Sequence, residues 1–150
     1  MRAAVVIALF LASLSQAHAT IAFSCEGDDA SAEFQINGAY GTSIGSSLAN
    51  FGGAITIKHA GVPKDVSKLK FTQKNVVQQW FVGRDMRWLL RFEKQKPYRD
   101  VVLIIETRRG EDEDASYEGT YTLSIEMPPV KPATDTQRIE VSGKATCGAG

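Results

Sequence analysis

Apolar and polar residues alternate along most of the chain, and this two-residue period predicts β-strands. Residues 117–127 are the clearest case, because Tyr117, Tyr121, Leu123 and Ile125 fall on one face and polar residues fall on the other. The same pattern predicts further strands over residues 21–25, 32–36, 54–59, 68–71, 76–82, 86–93 and 138–147.

Residues 101–107 depart from simple alternation, because Val101, Val102, Leu103, Ile104 and Ile105 are apolar on both faces. A strand of this kind is typically covered on both sides. We therefore expect it to lie inside a sheet and not at an edge.

Eight or nine short strands with regular turn signals, and no helical stripe, predict an all-β fold. An antiparallel β-sandwich and a small closed barrel both satisfy this pattern. The least regular stretch is residues 37–53, which hold five glycines and read as a long loop, mobile or functional.

The first nineteen residues have the features of a cleaved signal peptide. Arg2 precedes an apolar run that ends before residues 17–19, an Ala-His-Ala cleavage site. The run is too short to span a membrane, and no later stretch could do so. We expect residues 20–150 to form one exported domain, periplasmic or secreted.

The chain contains two cysteines, Cys25 and Cys147, one near each end of the expected mature domain. An even number of cysteines in an exported chain predicts a disulfide. Both residues occupy the apolar parity of their strands, so the bridge would join the first strand to the last. Such a connection fits a barrel slightly better than a sandwich.

No catalytic or metal-binding set is indicated. Removal of His18 with the signal peptide leaves His59 as the one histidine, which is too few for a histidine-based triad or a zinc site. Asp112, Asp114 and Ser116 begin like a calcium loop, but Tyr117 stands where glycine is required. We expect no cofactor, no metal and no enzyme activity.

Charge is segregated along a chain whose formal net charge is zero. Residues 58–109 carry a net charge of +8, and the flanking stretches are acidic. Lys68, Lys70, Arg87 and Arg91 fall on outward positions and form a candidate face for an anionic envelope component or an acidic protein. The alternative is that these residues protect strand edges and pair with nearby acids.

Two tryptophans lie in this basic stretch, and their strand parity places both Trp80 and Trp88 in the core. No motif of a nucleic-acid-binding fold accompanies the basic residues. We therefore expect no nucleic-acid partner.

In size, in the early Cys25 followed by acidic residues, and in its all-β pattern, the chain is similar to periplasmic inhibitors of lysozyme. The similarity covers architecture, and the inhibitors' serine-glycine and lysine-glycine motifs are not found at matching places. Residues 43–47 are the nearest candidate. The resemblance implies a non-catalytic inhibitor or binding module.

The sequence thus favours an exported binding or inhibitor-type module that presents its basic face or its Gly/Ser-rich loop to a cell-envelope partner. Two alternatives remain open. One is a carboxylate-based hydrolase acting on saccharides, for which no pair of acids is singled out. The other is a purely structural periplasmic domain.

Overall fold

The computed structural model describes residues 21–41, 47–112, 116–129 and 135–150. The predicted signal peptide and residues 43–46 of the Gly/Ser-rich loop lie outside the described residues, as does Asp114 of the acidic run. The described residues form nine strands and one short 3₁₀ helix, η1. In chain order these are β1 (Ile21–Asp28), β2 (Ala32–Tyr40), β3 (Leu48–Ile57), β4 (Lys68–Thr72), η1 (Gln73–Asn75), β5 (Val76–Val82), β6 (Asp85–Gln95), β7 (Tyr98–Arg109), β8 (Tyr117–Met127) and β9 (Gln137–Ala149).

All nine strands belong to one antiparallel sheet with the order β4-β3-β2-β1-β9-β8-β7-β6-β5. Each strand pairs with its neighbour in sequence, except that β4 and β5 do not pair and β1 pairs with β9. The sheet therefore curls into a nearly closed up-and-down barrel. The barrel prediction is confirmed, and the sandwich alternative is wrong.

The barrel is open where β4, η1 and β5 follow one another, and residues 68–82 are called the seam segment below. The chain pairs with β3 through β4, passes through η1, and then pairs with β6 through β5. Side chains hold this passage in place. Asn75 Nδ2 donates to the carbonyl of Arg91 at 3.0 Å, and Lys94 Nζ lies 2.9 Å from Asp65 Oδ2.

The disulfide prediction is confirmed, since Cys25 and Cys147 are bonded and face each other directly across β1 and β9. Both cysteines are buried in the barrel interior. Towards one end of the barrel, Phe23, Tyr40 and Trp88 form an aromatic cluster, with the rings of Phe23 and Trp88 4.4 Å apart. The interior is thus packed with side chains.

The long loop expected over residues 37–53 is shorter in the structure, because β2 continues to Tyr40 and β3 begins at Leu48. Two of its glycines, Gly38 and Gly53, are strand residues in close contact with neighbours. A Cβ on Gly38 would lie 2.7 Å from the Phe23 ring, and one on Gly53 would lie 2.6 Å from Ile36. These glycines make room for large inward side chains, which a glycine count alone does not reveal.

The strand that is apolar on both faces is β7, which lies inside the sheet between β6 and β8, as expected. Val101, Leu103 and Ile105 are fully buried in the interior. The expected burial on its second face is wrong, since Val102 and Ile104 point outward and are only half-buried. The outer face of β7 is therefore apolar and partly exposed.

Within the described residues, no helix is long and apolar enough to cross a bilayer.

Candidate binding face

The exposed large hydrophobic residues of the described chain all lie on one strand, β5. They are Val77, Trp80 and Val82, with 60%, 36% and 54% of their surface exposed. Exposed apolar residues that occur singly are unremarkable, but a contiguous group on one element marks an interaction surface. The outer face of β5 is therefore the leading candidate site.

The prediction that Trp80 lies in the core is wrong, and a β-bulge explains the error. Val76 pairs with Leu90, while Gln78 already pairs with Leu89, so Val77 is an extra residue in β5. After this bulge, Gln79 and Phe81 point into the barrel and Trp80 points outward. The prediction for Trp88, which is 1% exposed, is confirmed.

Trp80 forms one wall of a depression of about 210 Å³ on the barrel exterior. The Arg87 guanidinium carbon lies 4.9 Å from the centre of the Trp80 ring, and Arg87 Nε lies 3.1 Å from Glu106 Oε1. The three residues are cross-strand neighbours on β5, β6 and β7. The pairing with Glu106 holds the guanidinium over the indole.

The depression continues onto apolar residues of the next two strands. Leu89 and Ile104 line it, and both are half-buried. Val102 extends the same outward row of β7. We call the outward residues Val77, Trp80, Val82, Arg87, Leu89, Ile104 and Glu106 the β5 face.

The four predicted basic residues are all exposed, and they differ in their partners. Arg87 belongs to the β5 face. Arg91 makes two hydrogen bonds to the Asp100 carboxylate, at 2.7 and 2.9 Å, and these bonds raise the pKa of Arg91 further. Lys68 and Lys70 are exposed on β4, where they pair across the strands with Thr56 and Ala54.

The two lysines of β4 also differ from the two arginines in their partners. Within the described residues, neither Lys68 nor Lys70 makes a side-chain hydrogen bond or ion pair, and the same holds for Lys74 of η1. The seam segment therefore carries three lysines whose charges the described chain does not neutralise.

A second depression, of about 630 Å³, lies on the outer surface of β1, β2, β3 and β9. Its polar lining includes the carboxylates of Glu26, Asp28 and Glu33 and the ammonium group of Lys144. Asp28 and Glu33 are both paired with Lys58, at 2.6 and 3.7 Å. This depression therefore brings three acids together on the barrel exterior.

Asp29, the residue after Asp28, forms a set of hydrogen bonds within the fold. Its carboxylate accepts hydrogen bonds from the Tyr121 hydroxyl at 2.7 Å and from the backbone amides of Ser31 and Ala32. Partial burial alone would raise the pKa of Asp29, but these hydrogen bonds outweigh it and hold the pKa below its usual value. Burial, together with the hydrogen bond to Asp29, raises the pKa of Tyr121.

His59 accepts a hydrogen bond from the Gly61 amide at 3.2 Å, which is a local turn contact. In the described ranges, no group of three or more histidine, cysteine or acidic side chains is placed to hold a metal ion.

Sequence reasoning missed Val77, Trp80 and Val82 as site residues. One signal could have found them. Residues 75–83 contain no charged residue although they lie inside the most basic stretch of the chain. Comparison with protein-family models, with curated proteins and with solved structures found no match to this chain.

Proposed function

We propose that this protein is an exported, non-catalytic binding module and that it holds a protein partner of the cell envelope on the β5 face. The observation that carries this proposal is the concentration of exposed Val77, Trp80 and Val82 on one strand beside Arg87. Tryptophan and arginine are the residues that most often dominate the binding energy of protein interfaces.

The composition of the face favours a protein over an anionic polymer. A purely electrostatic partner needs unpaired positive charge, but Arg87 is paired with Glu106 and Arg91 with Asp100. The exposed valines add apolar area that a protein interface buries in its centre. The three lysines without partners in the described chain belong to the same seam segment as β5, and in this proposal they attract acidic residues of the partner.

The test immobilises the disulfide-bonded protein and exposes it to cell-envelope extract, including lysozyme, at low and high salt. Capture should persist at high salt, because apolar burial is insensitive to screening. Trp80→Ala should reduce it by about tenfold or more, as is typical of an interface hot spot.

Ser142→Ala, a substitution at an exposed residue of β9 that lines neither depression, is the matched control and should leave capture unchanged. Equal capture by wild type, Trp80→Ala and Ser142→Ala would contradict the proposal.

The saccharide hydrolase remains a second candidate because the 630 Å³ depression collects Glu26, Asp28 and Glu33. Two carboxylates across a cleft are the minimum set for glycoside hydrolysis. Release of reducing sugar from envelope polysaccharide, lost in Glu26→Gln, would favour this function. Absence of release by the wild type would exclude it.

A further inference from the structure

We infer that the partner binds as an extended acidic segment that adds a strand to the free edge of β5. This inference rests on the proposed function and specifies the form of the partner. An added strand gains main-chain hydrogen bonds in addition to side-chain contacts.

The sheet ends at β5, which pairs with β6 and with no other strand of the described chain. Gly83 and Arg84 form a two-residue hairpin turn, with Gly83 at φ +60°. In such a hairpin the residues that flank the turn hydrogen-bond to each other, and bonded pairs then alternate along the strand. The peptide groups of Val82, which flanks the turn, therefore point towards β6. Phe81 and Gln79 stand one and three residues before Val82, so their peptide groups point away from β6.

The inward side chains of these two residues keep the edge in place. Gln79 Oε1 accepts a hydrogen bond from the Tyr40 hydroxyl at 3.0 Å. The Phe81 ring packs edge-on against Tyr40, with 5.4 Å between ring centres. β5 is thus anchored from inside the barrel while its second edge pairs with no strand of the described chain, so a partner strand would meet a preformed template.

The two edge strands of the sheet are protected very differently. β4 carries exposed Lys68 and Lys70, which are the kind of residues that prevent edge-to-edge association. β5 reads VVQQWFV, with no charge and no proline. An uncharged edge with high β-propensity is an aggregation hazard, and the bulge after Val76 is its one protective feature. Retention of such an edge is explained if a partner strand covers it.

Charge selects an acidic partner. Residues 68–87 contain five basic residues and one acidic residue, a net charge of +4. Lys74 stands just before β5 and Arg84 just after it, and neither makes an ion pair within the described residues. A strand laid along β5 would therefore have a cation at each end, which acidic side chains would complement.

The main-chain groups at the edge of β5 also favour a peptide partner over a lipid surface or a polysaccharide. Either of those could contact Trp80 and the lysines, but neither offers N–H and C=O groups alternating at strand spacing to match the peptide groups of Gln79 and Phe81. A second copy of the chain could pair there, and that outcome is included in the test.

The probe is a displayed library of random twelve-residue peptides, selected on the disulfide-bonded protein and counter-selected on Trp80→Ala. Selected peptides should be acidic, should alternate β-branched with polar residues, and should lack central proline. Selection of basic or proline-rich peptides, or no enrichment, would overturn the inference.

A pair of substitutions isolates the main-chain contact. Gln79→Ala removes the Tyr40 hydrogen bond and keeps the amide N–H. Gln79→Pro also removes the N–H, at an edge position where proline is compatible with a strand. The selected peptide should bind Gln79→Pro about tenfold more weakly than Gln79→Ala, as expected for loss of one or two hydrogen bonds.

The amide signals of Gln79 and Phe81 should also become protected from hydrogen exchange when the peptide binds. Equal affinity of the two Gln79 variants, or no protection of these amides, would overturn strand addition. If Trp80→Ala still reduced envelope capture, the proposed function would stand. A dimer of the protein alone that Gln79→Pro dissociates would identify a second copy as the occupant and would also overturn the inference.

Discussion

The four basic residues singled out in the sequence occupy three different environments. Arg87 stacks on an exposed indole, Arg91 is held by a nearly buried carboxylate, and Lys68 and Lys70 extend from an edge strand without partners in the described chain. Strand parity correctly placed all four on the outside of the barrel. It could not identify their partners, because Asp100 and Glu106 reach them only through the pairing of β6 with β7.

The different roles of the two arginines predict different effects of substitution. Arg91→Ala should lower the free energy of unfolding by more than Arg87→Ala does, because it leaves the nearly buried Asp100 carboxylate without its two hydrogen bonds. Arg87→Ala should change stability by less than about 1 kcal/mol, since its ion pair is exposed. Urea unfolding measures both values, and similar losses for the two variants would contradict the assignment.

Asp29 should make stability depend on acid pH. Its pKa is lowered in the folded state, so its contribution is complete above the usual aspartate pKa and is lost as the pH falls through the folded value. Asp29→Asn should therefore melt at a lower temperature than wild type near neutral pH, and the difference should shrink below about pH 4. The exposed control Asp112→Asn should show no such trend, and a constant difference for Asp29→Asn would refute the argument.

At the scale of elements, the sequence pattern identified most strands, and its errors have physical causes. Residues 37–53 were interpreted as a loop because glycines there make room for Phe23 and Ile36. Trp80 was assigned to the core because the bulge after Val76 reverses strand parity without any sequence mark. Strand parity missed the candidate site for the same reason, and the uncharged run of residues 75–83 is the one sequence signal that points to it.

The passage through η1 should depend on Asn75. Asn75 Oδ1 accepts a hydrogen bond from the Thr72 amide at 2.8 Å, and its Nδ2 binds the Arg91 carbonyl, so this one side chain joins the seam segment to β6. Asn75→Ala should lower the free energy of unfolding by about 1–2 kcal/mol.

The neighbouring substitution Lys74→Ala is the control and should leave stability within about 0.5 kcal/mol of wild type. Equal stability of the two variants would show that Asn75 does not hold the seam.

At the scale of the whole molecule, the disulfide fastens the first strand to the last. Cys25 and Cys147 are 122 residues apart, so reduction frees a very long loop in the unfolded chain. Loop entropy predicts that Cys25→Ala with Cys147→Ala loses about 4–5 kcal/mol of stability. Urea midpoints measure this loss, and a change below about 1 kcal/mol would mean that the paired strands close the barrel without the bridge.

The seam segment interrupts the barrel wall, and its strand β5 carries the most apolar part of the barrel exterior. Closure elsewhere removes free edges, because β1 pairs with β9. The remaining unprotected edge, the exposed valines and Trp80 therefore coincide on β5. This coincidence is the basis for assigning binding to that strand.

Site-specific photo-crosslinking tests this assignment most directly. A photoreactive phenylalanine analogue would replace Val82 in one variant and, in the other, Ser142 on β9, which three strands separate from β5 in the sheet. After illumination in the exporting cell, we expect a discrete adduct at position 82 that Trp80→Ala suppresses, and none at position 142. No adduct at position 82, or the same adducts at both positions, would contradict the assignment.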